Sequence, residues 1–148
     1  MTAGSHMVTI FGFLIYNTVK AVRRFEFMNI YESTEDYLEA ILMIQDRKGV
    51  VHSIDIAEEL NFSKASVSIA MKKFRENGYI SMEKNGEITL LKPGREIAER
   101  IYERHRILTS LFEKLGVSKE IAAKDACKVE HDLSPETFDA LKKCEQSM

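Results

Sequence analysis

Tryptophan is absent from this chain of 148 residues, and proline and cysteine each occur only twice. So few prolines leave long stretches free to form helices, because proline breaks a helix interior. The two cysteines, Cys127 and Cys144, cannot build a disulfide framework, and there is no Cys-x-x-Cys pair for a zinc finger. We therefore expect a mainly α protein whose thiols stay reduced in the cytoplasm.

An excess of positive charge is also missing, since 21 Lys and Arg residues face 23 Asp and Glu residues for a net charge of −2. This balance excludes a global basic field, so any DNA contact must come from a local patch. The composition, 45% hydrophobic and 30% charged, is typical of a globular protein with one or two small domains.

No apolar run reaches the roughly 20 residues that a membrane-spanning helix needs, so we expect no membrane partner. The run over residues 8–16 is shorter, and positive charges follow it, whereas a signal peptide has its charges first. Gly4-Ser5-His6-Met7 resembles an expression tag. We expect a native start at Met28, with residues 1–27 as tag and upstream sequence. The alternative is an additional amphipathic helix.

Capping signals and helical periodicity predict three helices between residues 33 and 77. Ser33-Thr34-Glu35-Asp36 has the spacing of a capping box at the start of the first helix. The second and third helices should follow the caps Ser53 and Ser63, and the three helices should end near Gly49, Leu60 and Asn77. Asn61 can take the left-handed conformation that ends the second helix. The side chains predicted to face the core are Ile54, Ala57, Leu60, Val67, Ala70, Met71 and Phe74.

The hydrophobic pattern changes to strict alternation after Gly78, which predicts two strands. Between them, Asn85-Gly86 is a strong hairpin signal. The alternating apolar residues are Ile80, Met82, Ile88 and Leu90. Helix, short turn, helix and hairpin together predict a winged helix-turn-helix domain with a two-stranded wing over residues 28–94.

Helical spacing returns after Pro93-Gly94 and predicts a second, helical domain over residues 95–148. A long helix should cover about Arg95 to Leu115, and a further helix should run from its cap Ser118 to about His131. The last helix should start at Ser134-Pro135, with Phe138 and Leu141 buried.

A local positive patch lies on the predicted recognition helix and wing. From Ser63 to Arg95, seven positive residues minus three negative residues give +4, on a chain whose total is −2. Hydroxyl and amine side chains of this kind contact DNA phosphates, whereas the alternative is a solvated surface on a protein-interaction module. The candidate DNA-binding residues are Ser63, Lys64, Ser66, Ser68, Lys72, Lys73, Lys84 and Asn85.

Cys127, Glu130 and His131 follow each other at the i, i+3, i+4 spacing of one helix face. Such residues are often structural, since a lone helical cysteine is usually a small buried hydrophobe. Thiolate, imidazole and carboxylate together suit Mn, Fe, Co, Ni or Zn, whereas Ca and Mg require oxygen ligands. Three further candidate ligands are Asp36 and Glu39 in the first predicted helix and His105 in the long one.

Two other functions use the same residues. A winged-helix regulator could sense oxidation through Cys127 or Cys144, which requires an accessible thiol of low pKa. A Cys127–His131 hydrolase is disfavoured, because no strand-borne nucleophile turn or glycine-rich oxyanion loop accompanies the pair. We expect no enzymatic activity and no small organic substrate.

The sequence resembles the diphtheria-toxin-repressor and manganese-transport-regulator family of metal-dependent repressors from about Glu32 to Lys143. The most specific matching stretch is Ala126-Cys127-Lys128-Val129-Glu130-His131. The other matching stretches are Ser33 to Glu39, Asp55 to Leu60 and Tyr102 to His105.

The resemblance implies a homodimer that represses metal-uptake genes by binding a palindromic double-stranded DNA operator when metal is plentiful. It implies that residues 95–148 form a metal-binding and dimerisation domain, with the metal at the junction to the winged helix. The implied ligands are Asp36, Glu39, His105, Cys127, Glu130 and His131.

The candidate ligand set is a hybrid of two subfamilies. Manganese-type members resemble this chain at Asp36 and Glu39 but have Glu at the position of Cys127, whereas iron-type members have the Cys but Met at the position of Asp36. We therefore expect Fe(II) or Mn(II), with Zn(II) or Co(II) as alternatives. Ile69 stands at a recognition-helix position that is polar in some members, so the base specificity of those members is not assigned to this chain.

Overall fold

The computed structural model describes residues 33–148. Residues Glu35–Met148 form one compact unit. The expectation that residues 1–27 are tag and upstream sequence lies outside the described residues. Within residues 33–148, no helix is long and apolar enough to cross a membrane.

Three helices and a hairpin form the first half of the described chain, as predicted. Helix α1 covers residues 33–48 and ends at Gly49, whose φ of +82° is typical of a glycine that closes a helix. The next elements are α2 (Ser53–Leu60), α3 (Lys64–Glu76), β1 (Ile80–Met82) and β2 (Ile88–Leu90).

The turn between α2 and α3 has the residues that the sequence predicts for it. Asn61 adopts the left-handed conformation, with a φ of 54°, and ends α2. Ser63 caps α3, since its hydroxyl accepts a hydrogen bond from the backbone N–H of Ser66 at 3.1 Å. This tight turn fixes α3 relative to α2.

The start of α2 and its buried face differ from the prediction. Ser53 is the first helical residue and not the cap, because the carboxylate of Asp55 accepts from the backbone N–H of His52 at 2.8 Å. Ile54 is 43% exposed, whereas Ile56 is fully buried. A helix of eight residues has too short a periodic signal to define its inner face, and packing against α3 decides it.

The wing is an antiparallel hairpin in which Ile80 pairs with Leu90 and Met82 with Ile88. Its turn uses Asn85-Gly86 as predicted: Gly86 has a φ of +84°. Ile80, Ile88 and Leu90 point into one hydrophobic core with the three helices. The other buried members of this core are Tyr37, Leu38, Ile41, Leu42, Ile44, Val51, Ile56, Ala57, Val67, Met71, Phe74 and Ala98.

Helix α4 (Lys92–Lys114) leads from the wing into the second half of the chain. It begins three residues earlier than predicted, because proline is tolerated in the first helical turn. Gly94 is required there, since a Cβ at this position would lie 2.3 Å from the carbonyl oxygen of Tyr79. Ala98 packs in the core of the winged helix, whereas further along α4 contacts the last two helices.

The last two helices, α5 (Lys119–Val129) and α6 (Pro135–Ser147), both pack against α4. Helix α5 ends at Val129 with Glu130 as its C-cap, two residues before the predicted end at about His131, so His131 lies in the following turn. Phe138 is buried as predicted, but Leu141 is only half-buried. The mainly α fold with an N-terminal winged helix-turn-helix and a C-terminal helical region is confirmed.

Candidate metal centre

Helix α1, the middle of α4 and the C-terminal end of α5 meet at Glu130, which is fully buried. One oxygen of its carboxylate, Oε2, accepts a hydrogen bond from Nδ1 of His105 on α4 at 2.8 Å. The other, Oε1, lies 3.5 Å from Nε2 of His131. A buried carboxylate between two imidazoles joins the separate candidate residues into one site.

Two groups of potential metal ligands share Glu130. The first consists of Asp36, Glu130 and His131, and the second of Glu39, His105 and Glu130. Within each group the potential ligand atoms all lie within 4.8 Å of one another. The structure thus brings together five of the six sequence-predicted ligands, although Asp36 and Glu130 are 94 positions apart in sequence.

Cys127 is the predicted ligand that belongs to neither group. It lies on α5, three residues before Glu130, and is exposed. Partial loss of hydration and then the negative charges of Glu130, Asp36 and Glu39 raise the pKa of its thiol to about 11. The thiol is therefore close enough for these carboxylates to disfavour its thiolate form. Without a bound cation the thiol stays protonated.

Three buried polar atoms of the site have no hydrogen-bond partner within the described residues: Glu39 Oε1, Glu130 Oε1 and His131 Nε2. His131 Nε2 does lie 2.9 Å from Asp36 Oδ1, which is within ion-pair distance. Unpaired buried polar atoms cost free energy, and they are few in folded proteins. Their convergence fits a divalent cation, which carboxylate oxygens and imidazole nitrogens would bind directly.

The pKa values of three groups in the site are raised, and several negative charges lie close together there. Burial and the neighbouring Glu130 carboxylate raise the pKa of Glu39 to about 7. Although burial lowers the pKa of His131, the adjacent carboxylates of Asp36 and Glu35 outweigh this effect and raise it to about 10. The hydrogen bond to Glu130 likewise raises the pKa of His105. Protons on Glu39, His105 and His131 thus reduce the net negative charge that a bound metal would otherwise neutralise.

Glu35, Arg100 and Arg104 contact the site but were not predicted. Glu35 accepts from Nδ1 of His131 at 2.8 Å and from Arg100 at 2.8 Å. Arg104 donates to the backbone oxygens of Glu130 and Leu133 at 2.9 and 2.8 Å and so holds the turn after α5. Glu35 and Arg104 lie next to predicted ligands in sequence, which was the only available signal.

The predicted DNA-binding residues lie on the recognition helix α3, at its N-cap and on the wing of the winged helix. All eight of them are exposed, from Ser63 at the start of α3 to Asn85 at the tip of the wing. Ser63 also caps α3, so its hydroxyl has a structural role as well. Ile69, on the same helix, is 60% exposed, which is unusual for a large apolar side chain.

Comparison with known proteins assigns both halves of the chain. Residues 29–88 match the family described as "Iron dependent repressor, N-terminal DNA binding domain". Residues 92–145 match the family described as "Iron dependent repressor, metal binding and dimerisation domain". The resemblance stated from the sequence motifs is therefore confirmed, and the two matches meet near the start of α4.

Individual relatives agree with this assignment. An uncharacterised HTH-type transcriptional regulator of Methanocaldococcus jannaschii is 37% identical over 113 residues, which cover 75% of this chain and 90% of the relative. The regulator MntR of Geobacillus kaustophilus is 34% identical over 109 residues, which cover 74% of this chain and 77% of that protein. A manganese-dependent transcriptional repressor solved with manganese superimposes with a TM-score of 0.69 at 26% identity, over 76% of this chain and 52% of its own. The chain thus spans about half the length of that solved structure.

Proposed function

This chain belongs to the iron-dependent repressor family, and we propose that it is a metal-gated transcriptional repressor that controls iron or manganese homeostasis. It would bind a palindromic double-stranded DNA operator as a homodimer. The observation that carries the proposal is the pair of ligand groups that share Glu130, with three unpartnered polar atoms directed into them.

The proposed ligands are Asp36 and Glu39 from α1, His105 from α4, and Glu130 and His131 from the end of α5. A bound divalent cation would supply positive charge that offsets the repulsion of the three carboxylates. Cys127 is proposed as a sixth ligand at the edge of the site, where its thiol would have to lose its proton on binding. Fe(II) or Mn(II) suits this mixture best, and Zn(II) or Co(II) is also compatible.

Metal would control DNA binding because the proposed ligands come from both parts of the chain. Asp36 and Glu39 belong to the winged helix, whereas His131 belongs to the helical region. Residues that share one cation would therefore hold α1 against the end of α5, and α3 packs in the same core as α1. In a dimer this would fix the separation of the two α3 helices near one helical turn of DNA, roughly 34 Å. A coupling of about 1–3 kcal/mol between metal and DNA is typical of such linkage.

The proposed DNA contacts use the exposed polar face of α3 together with the wing. Lys64, Lys72 and Lys73 would contact phosphates in the major groove, and Lys84 and Asn85 would reach the backbone beside it. The serines at positions 63, 66 and 68 would add hydrogen bonds. In this proposal residues 28–94 bind DNA, residues 95–148 hold metal and the partner subunit, and the protein acts in the cytoplasm without enzymatic activity.

Oxidation sensing at Cys127 has less support than metal sensing. The thiolate is the form that reacts with oxidants, and the pKa of about 11 at Cys127 keeps the thiol protonated. The five oxygen and nitrogen ligands of the site, by contrast, have no evident role in thiol chemistry.

The test is the binding of a fluorescently labelled palindromic duplex from the protein's own promoter, measured by anisotropy. Titrations would contain Mn(II), Fe(II) or Zn(II), or a chelator as control. We expect tight binding with the physiological metal and at least about tenfold weaker binding with chelator. Equal binding in all four titrations would contradict metal gating.

A further inference from the structure

Glu35 joins three parts of the chain although it is in neither ligand group. Its Oε2 accepts a hydrogen bond from Nδ1–H of His131 at 2.8 Å. Its Oε1 accepts from Nη2 of Arg100 on α4 at 2.8 Å. The side chain is only 14% exposed. The carboxylate is thus held from two sides and has little freedom to leave its place.

The other nitrogen of the same imidazole faces the proposed metal site. Nε2 of His131 lies 2.9 Å from Asp36 Oδ1 and 3.5 Å from Glu130 Oε1. A neutral imidazole has one protonated nitrogen and one with a free lone pair, and only the latter can bind a metal. When the imidazolium of His131 loses one proton on metal binding, Glu35 keeps the other proton on Nδ1, so the lone pair lies on the nitrogen that faces the ligand group.

We propose that Glu35 is a positioning residue for the metal site, which fixes the ring orientation and tautomer of His131 without touching the metal. Carboxylates that accept the second N–H of a ligating histidine have this role in many metalloproteins. Arg100 in turn keeps Glu35 in place. The inference rests on the proposed function, because it presumes that His131 binds a metal.

The competing explanation is that Glu35 only forms an ion pair with Arg100 that fastens α1 to α4. Partly exposed pairs of this kind stabilise proteins little. The ion pair Arg47–Glu59, at 2.6 Å, offers a matched control, because a carboxylate again accepts from an arginine but contacts no histidine. Substitution there should leave metal affinity unchanged.

The experiment measures Mn(II) affinity of the full chain from the electron paramagnetic resonance signal of free Mn(II). Circular dichroism first establishes that the metal-free variants are folded. Glu35→Ala should raise the Kd for Mn(II) by about 10–100-fold. Glu35→Gln should raise it less, since the amide oxygen can still accept from Nδ1–H. Glu59→Gln should stay within about twofold of the wild type.

An unchanged Kd in Glu35→Ala, with normal binding by the wild type, would overturn the inference alone. Equal losses in Glu35→Ala and Glu35→Gln would also overturn it, because charge and not ring position would then explain the effect. A wild-type protein that binds no Mn(II) would overturn the proposed function and this inference with it.

A spectroscopic measurement decides the question if Glu35→Ala does not fold. Two-bond ¹H–¹⁵N spectra of the zinc-loaded wild type distinguish the two ring nitrogens of each histidine. We expect His131 to keep its proton on Nδ1 and to bind zinc through Nε2. Zinc on Nδ1 would overturn the inference.

Discussion

Glu130 Oε2 lies 2.8 Å from His105 Nδ1, and this contact joins the buried end of α5 to the middle of α4. Because the other oxygen of the same carboxylate faces His131, Glu130 is the one described residue common to both ligand groups. A substitution at Glu130 therefore affects both ligand groups at once.

Glu130→Gln should weaken metal binding by about 100-fold or more, because it removes an anionic ligand from both groups at once. The amide has nearly the same shape, so the metal-free protein should stay folded. Isothermal titration with Mn(II) measures the affinity. The exposed Glu136→Gln on α6 serves as control, and an unchanged affinity in Glu130→Gln would rule out this carboxylate as a ligand.

The metal-free protein should lose stability as the pH rises above about 4.5. Glu39 and His131 have folded-state pKa values of about 7 and about 10, above their usual 4.5 and 6.5. The folded state thus keeps protons that the unfolded state releases, so the stabilisation is full below the unfolded pKa and is lost through the folded pKa.

Glu39 should account for the loss of folding stability between about pH 4.5 and 7, and His131 for the loss between about pH 6.5 and 10. We expect a decrease on the order of 2 kcal/mol for the Glu39 interval. Urea unfolding in the presence of a chelator measures it. Glu39→Gln should remove most of the pH dependence of stability in this interval. A wild-type stability that rises with pH between about 4.5 and 7 would contradict a raised pKa at Glu39.

Arg104→Ala should destabilise the fold by about 2 kcal/mol, because two backbone oxygens of the turn after α5 lose a charged donor. Its guanidinium also lies 5.2 Å from the centre of the Phe138 ring. Arg106→Ala is the control, since Arg106 has a similar ring contact with Tyr102 at 5.8 Å. Thermal unfolding compares the two variants, and equal small losses would mean that the turn does not depend on Arg104.

Lys72→Ala should weaken DNA binding about equally for specific and nonspecific duplexes, because a phosphate contact carries no sequence information. The slope of log affinity against log salt concentration should fall by about 1. Lys143→Ala, exposed on α6, should leave both quantities unchanged. Anisotropy at several salt concentrations checks this, and an unaltered slope in Lys72→Ala would exclude that lysine from the interface.

Local signals in the sequence predicted most of the winged helix. Asn61, Ser63 and Asn85-Gly86 each dictate a backbone conformation by themselves, and the structure has a turn or cap at each. Ile54 and Ile56 show the limit of such signals, since the buried face of a short helix depends on what packs against it. The end of α5 likewise involves a long-range contact, because Arg104 donates a hydrogen bond to the backbone oxygen of Glu130, 26 residues away in sequence.

The site itself was only partly predictable. Residue chemistry and family resemblance predicted Asp36, Glu39, His105, Glu130 and His131, which the fold brings together. The hydrogen bond between Glu35 and His131 joins residues 96 positions apart, and no local pattern encodes such a contact. Cys127 shows the limit of spacing as a signal, because it lies three residues before Glu130 and yet belongs to neither ligand group.

The central claim is that metal and DNA binding are coupled, and the most direct test measures the Mn(II) affinity of the protein with and without its operator duplex. Linkage requires that DNA tighten Mn(II) binding by the same factor by which Mn(II) tightens DNA binding. We predict a factor of about 5–150, equal in both directions. An Mn(II) affinity that the operator does not change would contradict metal gating, even if the protein binds both ligands.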